Sequence, residues 1–445
     1  MHAEEQYAVS STGASCATAQ DWRNTILAGL ANYIDGGSIV SGSAALALWV
    51  SAFHLSPTFV GLIGAFSANA ISAGVGALVG GRLCDRLGRK KIYQYDMLFY
   101  AFGMLWLVLA VRPWMIVVGY ILVGLAVGAD IPASWSLIAE LAPQSERGKH
   151  SGVAQVLWYL GPVVVLLMSL ALAPLGILGA RIVFAHLALV AVILTVLRSG
   201  MKESQLWTDA RSRSEKASAR EAAGESTRIG SGGRLRELFT PRYLRPMLFL
   251  IGMYGIWNLW AGTNGFFFPY VLRTVGSQTQ AASVALQAGG FTVAMLSIAF
   301  VFMRYSDRVS QRAMMGLAGL VQVVGMVLLA LFPLTTAVAL AYQFLLQLGG
   351  GFGQQSFFQL WSAELFPTLL RSSAQGMMFA VVRIGLGLWS FFVPVLTATG
   401  FTKVAWVLTA FVAVSSLIGV LGAPSNEGKS LIQIEAERRA SPDRL

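Results

Sequence analysis

A single carboxylate interrupts the first long apolar stretch of the chain. Asp35 lies in the sequence Asn32-Tyr-Ile-Asp-Gly-Gly-Ser38, with mostly apolar residues on both sides. A charged group at the centre of a bilayer costs about 3 kcal/mol on insertion scales, so it normally faces a cavity or a partner. A carboxyl group held there can take up and release a proton, which makes Asp35 the first candidate for proton coupling. Capping of its side chain where Gly36-Gly37 breaks the helix is the structural alternative.

Two further ionisable groups lie inside apolar stretches. Asp130 occurs in Gly128-Ala-Asp-Ile-Pro132, a sequence that weakens a helix, and Arg383 lies in the stretch 373–396. Asp35 or Asp130 could pair with Arg383, and a buried ion pair of this kind is costly to break. Asp130 is therefore a second candidate for proton coupling, and Arg383 is a candidate for contacting a bound solute. A purely structural ion pair remains the alternative.

Amide and indole side chains recur within the apolar stretches. Amides offer paired donors and acceptors to hydroxyl groups, and aromatic rings pack against the C–H faces of a ring-shaped solute. A buried tryptophan can also be core filling, so the interpretation depends on the set. Together with Arg383, the predicted binding set is Gln155, Trp158, Trp257, Asn258, Asn264, Gln355, Gln359 and Trp389.

Charged residues gather in short joints between the apolar stretches, and two joints occur twice. Asp85 and Asp307 are 222 residues apart, and Glu140 and Glu364 are 224 apart. This near-constant offset indicates two copies of one multi-helix unit. Ion pairs in such joints can latch one conformation, and we expect Glu140 to pair with Arg147 and Glu364 with Arg371, one pair per copy. Anchoring of helix ends is the simpler alternative. The predicted gating set is Asp85, Arg86, Arg89, Glu140, Arg147, Asp307, Arg308, Glu364 and Arg371.

The apolar stretches themselves define the fold class. Twelve of them reach the roughly 20 residues needed to cross a bilayer about 30 Å thick. The sequence therefore predicts an all-α membrane protein with twelve transmembrane helices in two six-helix pseudo-repeats. The predicted spans are 24–50, 58–80, 92–111, 113–138, 151–173, 177–198, 246–271, 283–303, 313–332, 335–363, 373–396 and 402–423.

Basic residues predict the orientation of these spans. Lys and Arg concentrate in the joints after even-numbered spans, as in 82–91, which indicates that these joints and both termini are cytoplasmic. The long connection is charged and rich in Ser and Gly, and a short helix is expected near 205–222. The predicted division is an N-terminal tail (1–23), a first half (24–198), a linker (199–245), a second half (246–423) and a C-terminal tail (424–445).

Composition excludes several classes of function. Of the 445 residues, 56% are hydrophobic and only 12% are charged, against about 25% in soluble domains. The net charge of +11 comes from residues in the joints, so no nucleic-acid partner is expected. Cys16 and Cys84 stand apart, and the histidines form no cluster with a nucleophile or with other metal ligands. We therefore predict no enzyme, no cofactor and no metal site.

The first joint resembles the signature loop of the major facilitator superfamily. The pattern G-x-L-x-D-R-x-G-R-K is matched throughout by Gly81 to Lys90, and Glu140 to Gly148 resembles the E-x-x-P-x-x-x-R-G joint of its sugar porter branch. Asp35 followed by Ile39 and Ser41-Gly42 is similar to the first span of proton-coupled sugar porters. The chain departs from that branch at Asn258-Leu259, where two glutamines are usual. It also departs near Gln354-Gln355, where a Gly-Pro-x-x-Trp pattern is usual, and at Tyr120, near the place of a usual arginine. The resemblance implies the superfamily fold and transport by alternating access.

These observations favour a proton-coupled importer of a small polyhydroxylated metabolite, such as a sugar or a cyclitol. The expected partners are this solute, a proton and the lipid bilayer, and we expect a monomer in the plasma membrane. An organic-acid symporter that uses Arg383 is the main alternative, and it requires Arg383 to face a central cavity. A drug exporter and a membrane sensor that does not transport are further alternatives. The short C-terminal tail argues against the sensor.

Overall fold

The fold is described from a computed structural model. It describes residues 18–143, 146–199, 203–222 and 235–424, together with 426, 429, 431, 433, 434 and 437. Within these residues the regular structure is entirely helical. Parts of the predicted tails and linker, including Cys16, lie outside the described residues.

The first half contains six spans, of which the second is divided. Thr18 caps the first helix through its side chain, and α1 begins five residues earlier than the predicted span at 24. Between α2 and α3 the helix is interrupted over 66–70. The helices are α1 (Ala19–Phe53), α2 (Pro57–Ala65), α3 (Ile71–Leu87), α4 (Arg89–Val108), α5 (Pro113–Leu141), α6 (Arg147–Ala171) and α7 (Ile177–Arg198).

The linker contains one long helix, and the second half again contains six spans. The helix α8 (Gln205–Ala222) confirms the predicted linker helix. Two π-helical turns, Ile251–Gly255 and Ile298–Phe302, lie within the seventh and eighth spans, and Phe352-Gly353 divides the tenth. The remaining helices are α9 (Pro241–Leu250), α10 (Ile256–Thr274), α11 (Gln280–Ser297), α12 (Met303–Tyr305), α13 (Gln311–Leu331), α14 (Thr336–Gly351), α15 (Gln354–Glu364), α16 (Arg371–Thr399) and α17 (Phe401–Gly422).

Twelve spans result when the divided ones are joined, as the sequence predicted. By length and composition alone, eight of the described helices are apolar enough to cross a membrane. The interruption at Phe352-Gly353 has its counterpart, at the repeat offset, in the Gly128-Ala129 region of α5. There α5 stays helical through Asp130 and Pro132, so the predicted weak stretch does not break this helix.

The two halves meet along α3 and α16, along α6 and α11, and along α1 and α10. The ends of α3, α5 and α15 and the starts of α4, α6 and α16 lie together at one end of the bundle, which we call the basic end. There α3 and α16 approach so closely that a Cβ on Gly81 would lie 2.3 Å from the Ser372 carbonyl oxygen. A Cβ on Gly376 would lie 2.2 Å from the Ala77 oxygen, so neither position has room for a side chain.

We expect Gly376→Val to open the basic end. Overpacking a tight contact costs about 1–3 kcal/mol, which corresponds to a roughly five- to hundredfold shift toward separated helices. The measurement is the maleimide labelling rate of Ser373→Cys, a position that is buried at this contact, in a chain without native cysteines. Gly385→Val on the same helix is the control, because a Cβ there meets no atom within 4 Å. Equal labelling in both variants would contradict the close-packing argument.

Candidate functional site

A small central cavity of about 40 Å³ lies between the two halves. Seven of its fifteen lining residues come from α10, and the others come from α1, the interruption 66–70, α6, α11, α14, α15 and α16. Six residues of the predicted binding set are among those that line it: Trp158, Trp257, Asn258, Asn264, Gln355 and Arg383. The rest of the lining is Ile39, Asn69, Tyr159, Trp260, Ala261, Gly262, Gly265, Phe291 and Gln347.

Hydrogen bonds to helices behind the cavity hold the indoles of α10 in place. Trp257 Nε1 donates to Gln322 Oε1 at 2.8 Å, and Trp260 Nε1 donates to the Tyr342 hydroxyl at 2.9 Å. The Tyr342 hydroxyl in turn donates to Asn264 Oδ1 at 3.1 Å. With their polar atoms satisfied from behind, both indoles offer flat apolar faces to the cavity, which suits the C–H face of a ring.

Two amides keep their donor groups available. Asn264 Oδ1 accepts from Tyr342, and Gln355 Oε1 accepts from the Tyr254 hydroxyl at 2.8 Å. Neither amide nitrogen donates to another of the described residues. Both can therefore donate to the oxygen of a hydroxylated solute.

Arg383 faces this cavity rather than a neighbouring acid. Its Nη1 donates to Asn258 Oδ1 at 3.0 Å, and its Nη2 donates to the Tyr254 hydroxyl at 3.3 Å. The guanidinium also lies 4.3 Å from the centre of the Phe379 ring. Among the described ion pairs Arg383 has no carboxylate partner, although the charge of Asp35 acts on it from a distance. The predicted pairing of Arg383 with Asp35 or Asp130 is therefore wrong.

Three members of the predicted binding set lie outside the cavity lining. Gln155 donates to Gln359, so that the two amides join α6 of the first half to α15 of the second. Trp389 Nε1 donates to the Thr263 hydroxyl at 2.8 Å, and its ring packs edge-on against Phe411. The first two residues thus connect the halves, while Trp389 packs within the second half.

Asp35 lies within an unbroken α1 and is fully buried. Helix α1 continues through Gly36-Gly37, so the structural alternative, in which these glycines break the helix, does not hold. Gly36 instead allows close packing, since a Cβ there would lie 2.3 Å from the Trp158 carbonyl oxygen. Neither carboxylate oxygen of Asp35 has a hydrogen-bond partner among the described residues. Asp35 is thus an uncompensated acid beside the cavity-lining residue Ile39 of the same helix.

Asp130 forms an ion pair that the sequence did not reveal. Its Oδ1 lies 3.2 Å from Arg198 Nη1, and both side chains are fully buried. Arg198 is the last residue of α7 and of the predicted span 177–198, and no role was predicted for it. The charges of Asp130 and Arg198 both act on Asp35.

The charged residues of the predicted latches form ion pairs, but the pairs of Arg147 and Arg371 cross between the halves. Glu140 Oε1 accepts from Arg371 Nη1 at 2.8 Å and from Arg89 Nη2 at 3.0 Å. Arg147 Nη1 donates to Glu364 Oε1 at 3.2 Å. The predicted pairs of Glu140 with Arg147 and Glu364 with Arg371 are therefore wrong. Arg147 and Arg371 each start a helix that faces the opposite half, so their side chains reach the other half's carboxylate, whereas Arg89 reaches Glu140 within the first half.

The paired aspartates of the joints also bind backbone amides of the opposite half. Asp85 Oδ2 accepts from the Ser373 amide at 2.6 Å, and Asp307 Oδ1 accepts from the Gly148 amide at 3.0 Å. Both contacts lie in the first turn of a helix, where a negative charge is favourable. Arg86 and Arg308, by contrast, are exposed and belong to none of the described ion pairs.

Burial in the closed joint raises the pKa of Asp85 to about 6, although the neighbouring Arg89 opposes this. Burial likewise raises the pKa of Asp307, against the effect of the Gly148 amide. We expect opening of the joint to hydrate these groups and to return each pKa toward its ordinary value. Closure should then be accompanied by proton uptake and be favoured as the pH at the basic end falls through 6.

Some cavity residues gave a weak signal in the sequence. Asn69 lies in the interruption 66–70, and Gln347 lies one helical turn before Gly351 in the divided tenth span. A polar residue next to a helix interruption at membrane depth indicates a cavity, because exposed backbone is tolerated only there. Ile39, Phe291 and the small residues of α10 carried no such signal.

Comparison with known proteins agrees with this architecture. The family model of the Major Facilitator Superfamily matches residues 25–390. The minor myo-inositol transporter IolF of Bacillus subtilis is 46% identical over 421 residues, which cover 94% of each chain. The glucose transporter GlcP of Staphylococcus epidermidis is 25% identical over 93% of this chain and 95% of its own.

Solved structures share the fold. The proton:xylose symporter XylE, bound to 6-bromo-6-deoxy-D-glucose, superposes with a TM-score of 0.77. The two sequences are 18% identical, and the match covers 94% of this chain and 98% of that one. Because the identity is low, this likeness is one of fold.

Proposed function

Since the chain belongs to the major facilitator superfamily and is a multi-pass membrane transporter rather than an enzyme, we propose that it imports a cyclitol or a sugar together with a proton. The observation that carries this proposal is the cavity between the halves, where fixed indoles and two available amide donors lie close to one unpaired buried carboxyl group. The solutes of the two transporters that it resembles, myo-inositol and glucose, are both polyhydroxylated and support this proposal.

Transport follows from alternating access to this cavity. The basic end faces the cytoplasm and both termini are cytoplasmic, as the distribution of Lys and Arg indicates. With the crossed ion pairs formed, the cavity is sealed from the cytoplasm, and the solute enters from the opposite side of the plasma membrane. Protonation of Asp35 removes an uncompensated charge and allows the halves to rock. The crossed pairs then break and release solute and proton inside.

Uptake into proteoliposomes tests this proposal. The purified full-length protein is reconstituted and given an inward proton gradient with labelled cyclitols, hexoses, pentoses and small carboxylates. Accumulation of a cyclitol or a hexose that collapses on addition of a protonophore is the expected result. Accumulation that persists after addition of the protonophore would contradict proton coupling. Accumulation of a carboxylate and of no other solute would contradict a cyclitol or sugar as the substrate.

A carboxylate substrate is the second candidate, and the position of Arg383 favours it. A buried guanidinium at a cavity wall with no acid among its hydrogen-bond partners can bind a carboxylate with two parallel hydrogen bonds. In the leading proposal Arg383 instead orients Asn258 and Tyr254 around a neutral solute.

Arg383→Gln separates these two candidates. For a neutral polyol we expect roughly ten- to hundredfold weaker binding, because charge-assisted hydrogen bonds of about 1.5–3 kcal/mol to Asn258 and Tyr254 are lost. For a carboxylate we expect no measurable binding. Quenching of tryptophan fluorescence reports on binding, since Trp158 and Trp257 line the cavity. Arg383→Lys, which keeps the charge, is the control, and unchanged polyol affinity in Arg383→Gln would exclude the orienting role.

A further inference from the structure

We propose that Asp96 and Asp130, beside Arg198, share one proton and form a second proton-binding site within the first half. The existence of this site is independent of the proposed function. Its role as a relay between Asp35 and the basic end rests on proton coupling there.

The geometry of three helices brings these groups together. Asp130 of α5 pairs with Arg198 of α7 at 3.2 Å, and the Asp96 carboxyl group of α4 lies within hydrogen-bonding reach of the Asp130 side chain. Asp96 is only 6% exposed, and the other two side chains are fully buried. The cluster therefore has little access to water that could screen its charges.

No described donor satisfies the carboxyl oxygens that face each other. The Met97 backbone amide lies near the Asp96 carboxyl group. Even so, neither Asp96 oxygen accepts a well-formed hydrogen bond from the described residues, and nor does Oδ2 of Asp130. Two ionised carboxylates cannot hydrogen-bond one another, and at such a distance both cannot stay charged. A proton on either oxygen supplies the missing donor and gives one O–H···O⁻ bond between the two groups.

Charge balance points to the same number of protons. The pair without a proton carries two negative charges against the single positive charge of Arg198, and with one proton the three groups are neutral together. The other titratable groups that face the pair are Asp35 on α1 and Cys84 on α3. Neither one supplies a positive charge. An uncompensated charge is costly to bury. One bound proton removes the excess negative charge of the cluster, so a proton is the ligand that fits this site.

The placement of the pair suits a relay from Asp35. Arg198 Nη2 donates to the Ala28 carbonyl oxygen of α1 at 3.3 Å, which ties the pair to the helix that carries Asp35. Asp96 lies seven residues after the latch residue Arg89 on α4, or about 10 Å along the helix. A proton that leaves Asp35 can thus be held at the pair before it reaches the joint. When the pair takes up a proton, one O–H bond forms and the net charge of the cluster rises from −1 to zero.

Infrared spectroscopy on the full-length protein in lipid tests the site directly. A protonated carboxyl group gives a C=O stretching band that shifts in D₂O, and a shared proton predicts such a band at neutral pH. Asp96→Asn and Asp130→Asn should each remove it, because the remaining carboxylate then pairs with Arg198. Asp35→Asn should leave it in place, and Asp96→Glu should restore it. Because Asp35 can carry a proton of its own, each variant is also measured in an Asp35→Asn background. A band of unchanged intensity in Asp96→Asn there would overturn the shared proton.

Transport assays test the relay separately. Asp96→Asn should retain exchange of solute across proteoliposomes but lose at least tenfold of the proton-driven accumulation. Full accumulation in Asp96→Asn would overturn the relay. Full accumulation in Asp35→Asn would instead overturn proton coupling at Asp35, and the infrared result at Asp96 would still decide the second site.

Discussion

Asp35→Asn is expected to abolish proton-driven accumulation of the solute while exchange of solute across the membrane continues. The carboxyl group is fully buried, and no described donor satisfies either oxygen, so its charged form is costly at this position. Uptake and release of a proton by this group can therefore be coupled to the movement of the halves. Asparagine keeps the shape and stays neutral throughout the cycle. The halves can then still rock around a bound solute, but no proton is carried with it.

Two assays on the same proteoliposomes separate these effects. Net accumulation under an inward proton gradient should fall to the level of empty liposomes, a loss of at least a hundredfold, and counterflow of labelled solute should stay within severalfold of wild type. Asp209→Asn is the matched control, because it makes the same chemical change at an exposed position of α8. Gradient-driven accumulation in Asp35→Asn would exclude this residue from the coupling.

The sequence predicted the architecture well because its signal is repeated. Twelve apolar stretches and two duplicated joints each constrain the fold, and errors at single boundaries do not change the count. The same redundancy identified Asp85, Asp307, Glu140 and Glu364 as related residues of two copies. Hydropathy cannot reveal how two copies face each other, since that depends on packing between helices far apart in the chain.

The partners of buried charges could not be predicted for this reason. Arg198 is the last residue of the predicted span 177–198, next to the linker, yet its side chain turns inward to Asp130. Arg383 was a candidate partner for Asp35 or Asp130 in the sequence, yet its guanidinium donates hydrogen bonds to Asn258 and Tyr254. Within a lipid-embedded bundle every span is apolar, so hydropathy does not show which side of a helix faces its neighbours. That side is set by contacts between helices that are far apart in the sequence.

The second large effect is expected for the ion pair between Arg147 and Glu364, which belong to opposite halves. Arg147→Glu should reduce transport by a factor of a hundred or more, because breaking a buried ion pair leaves an uncompensated charge and costs about 3–5 kcal/mol. Here it also places two carboxylates together. Glu364 holds Asn426, and Arg147 holds the Lys429 carbonyl oxygen, so the variant further loosens the C-terminal segment from the closed basic end.

Charge reversal distinguishes the crossed latch from one within each half. Arg147→Glu combined with Glu364→Arg should recover at least a tenth of the wild-type uptake rate, because the pair is rebuilt across the halves with the opposite polarity. Arg147→Glu combined with Glu140→Arg is the matched control, with the same two charge changes confined to one half, and it should recover nothing. Initial rates are normalised to the amount of folded protein in the membrane. Recovery in the control and not in the crossed pair would show that each half latches itself, and the cavity would then need a different seal on the cytoplasmic side.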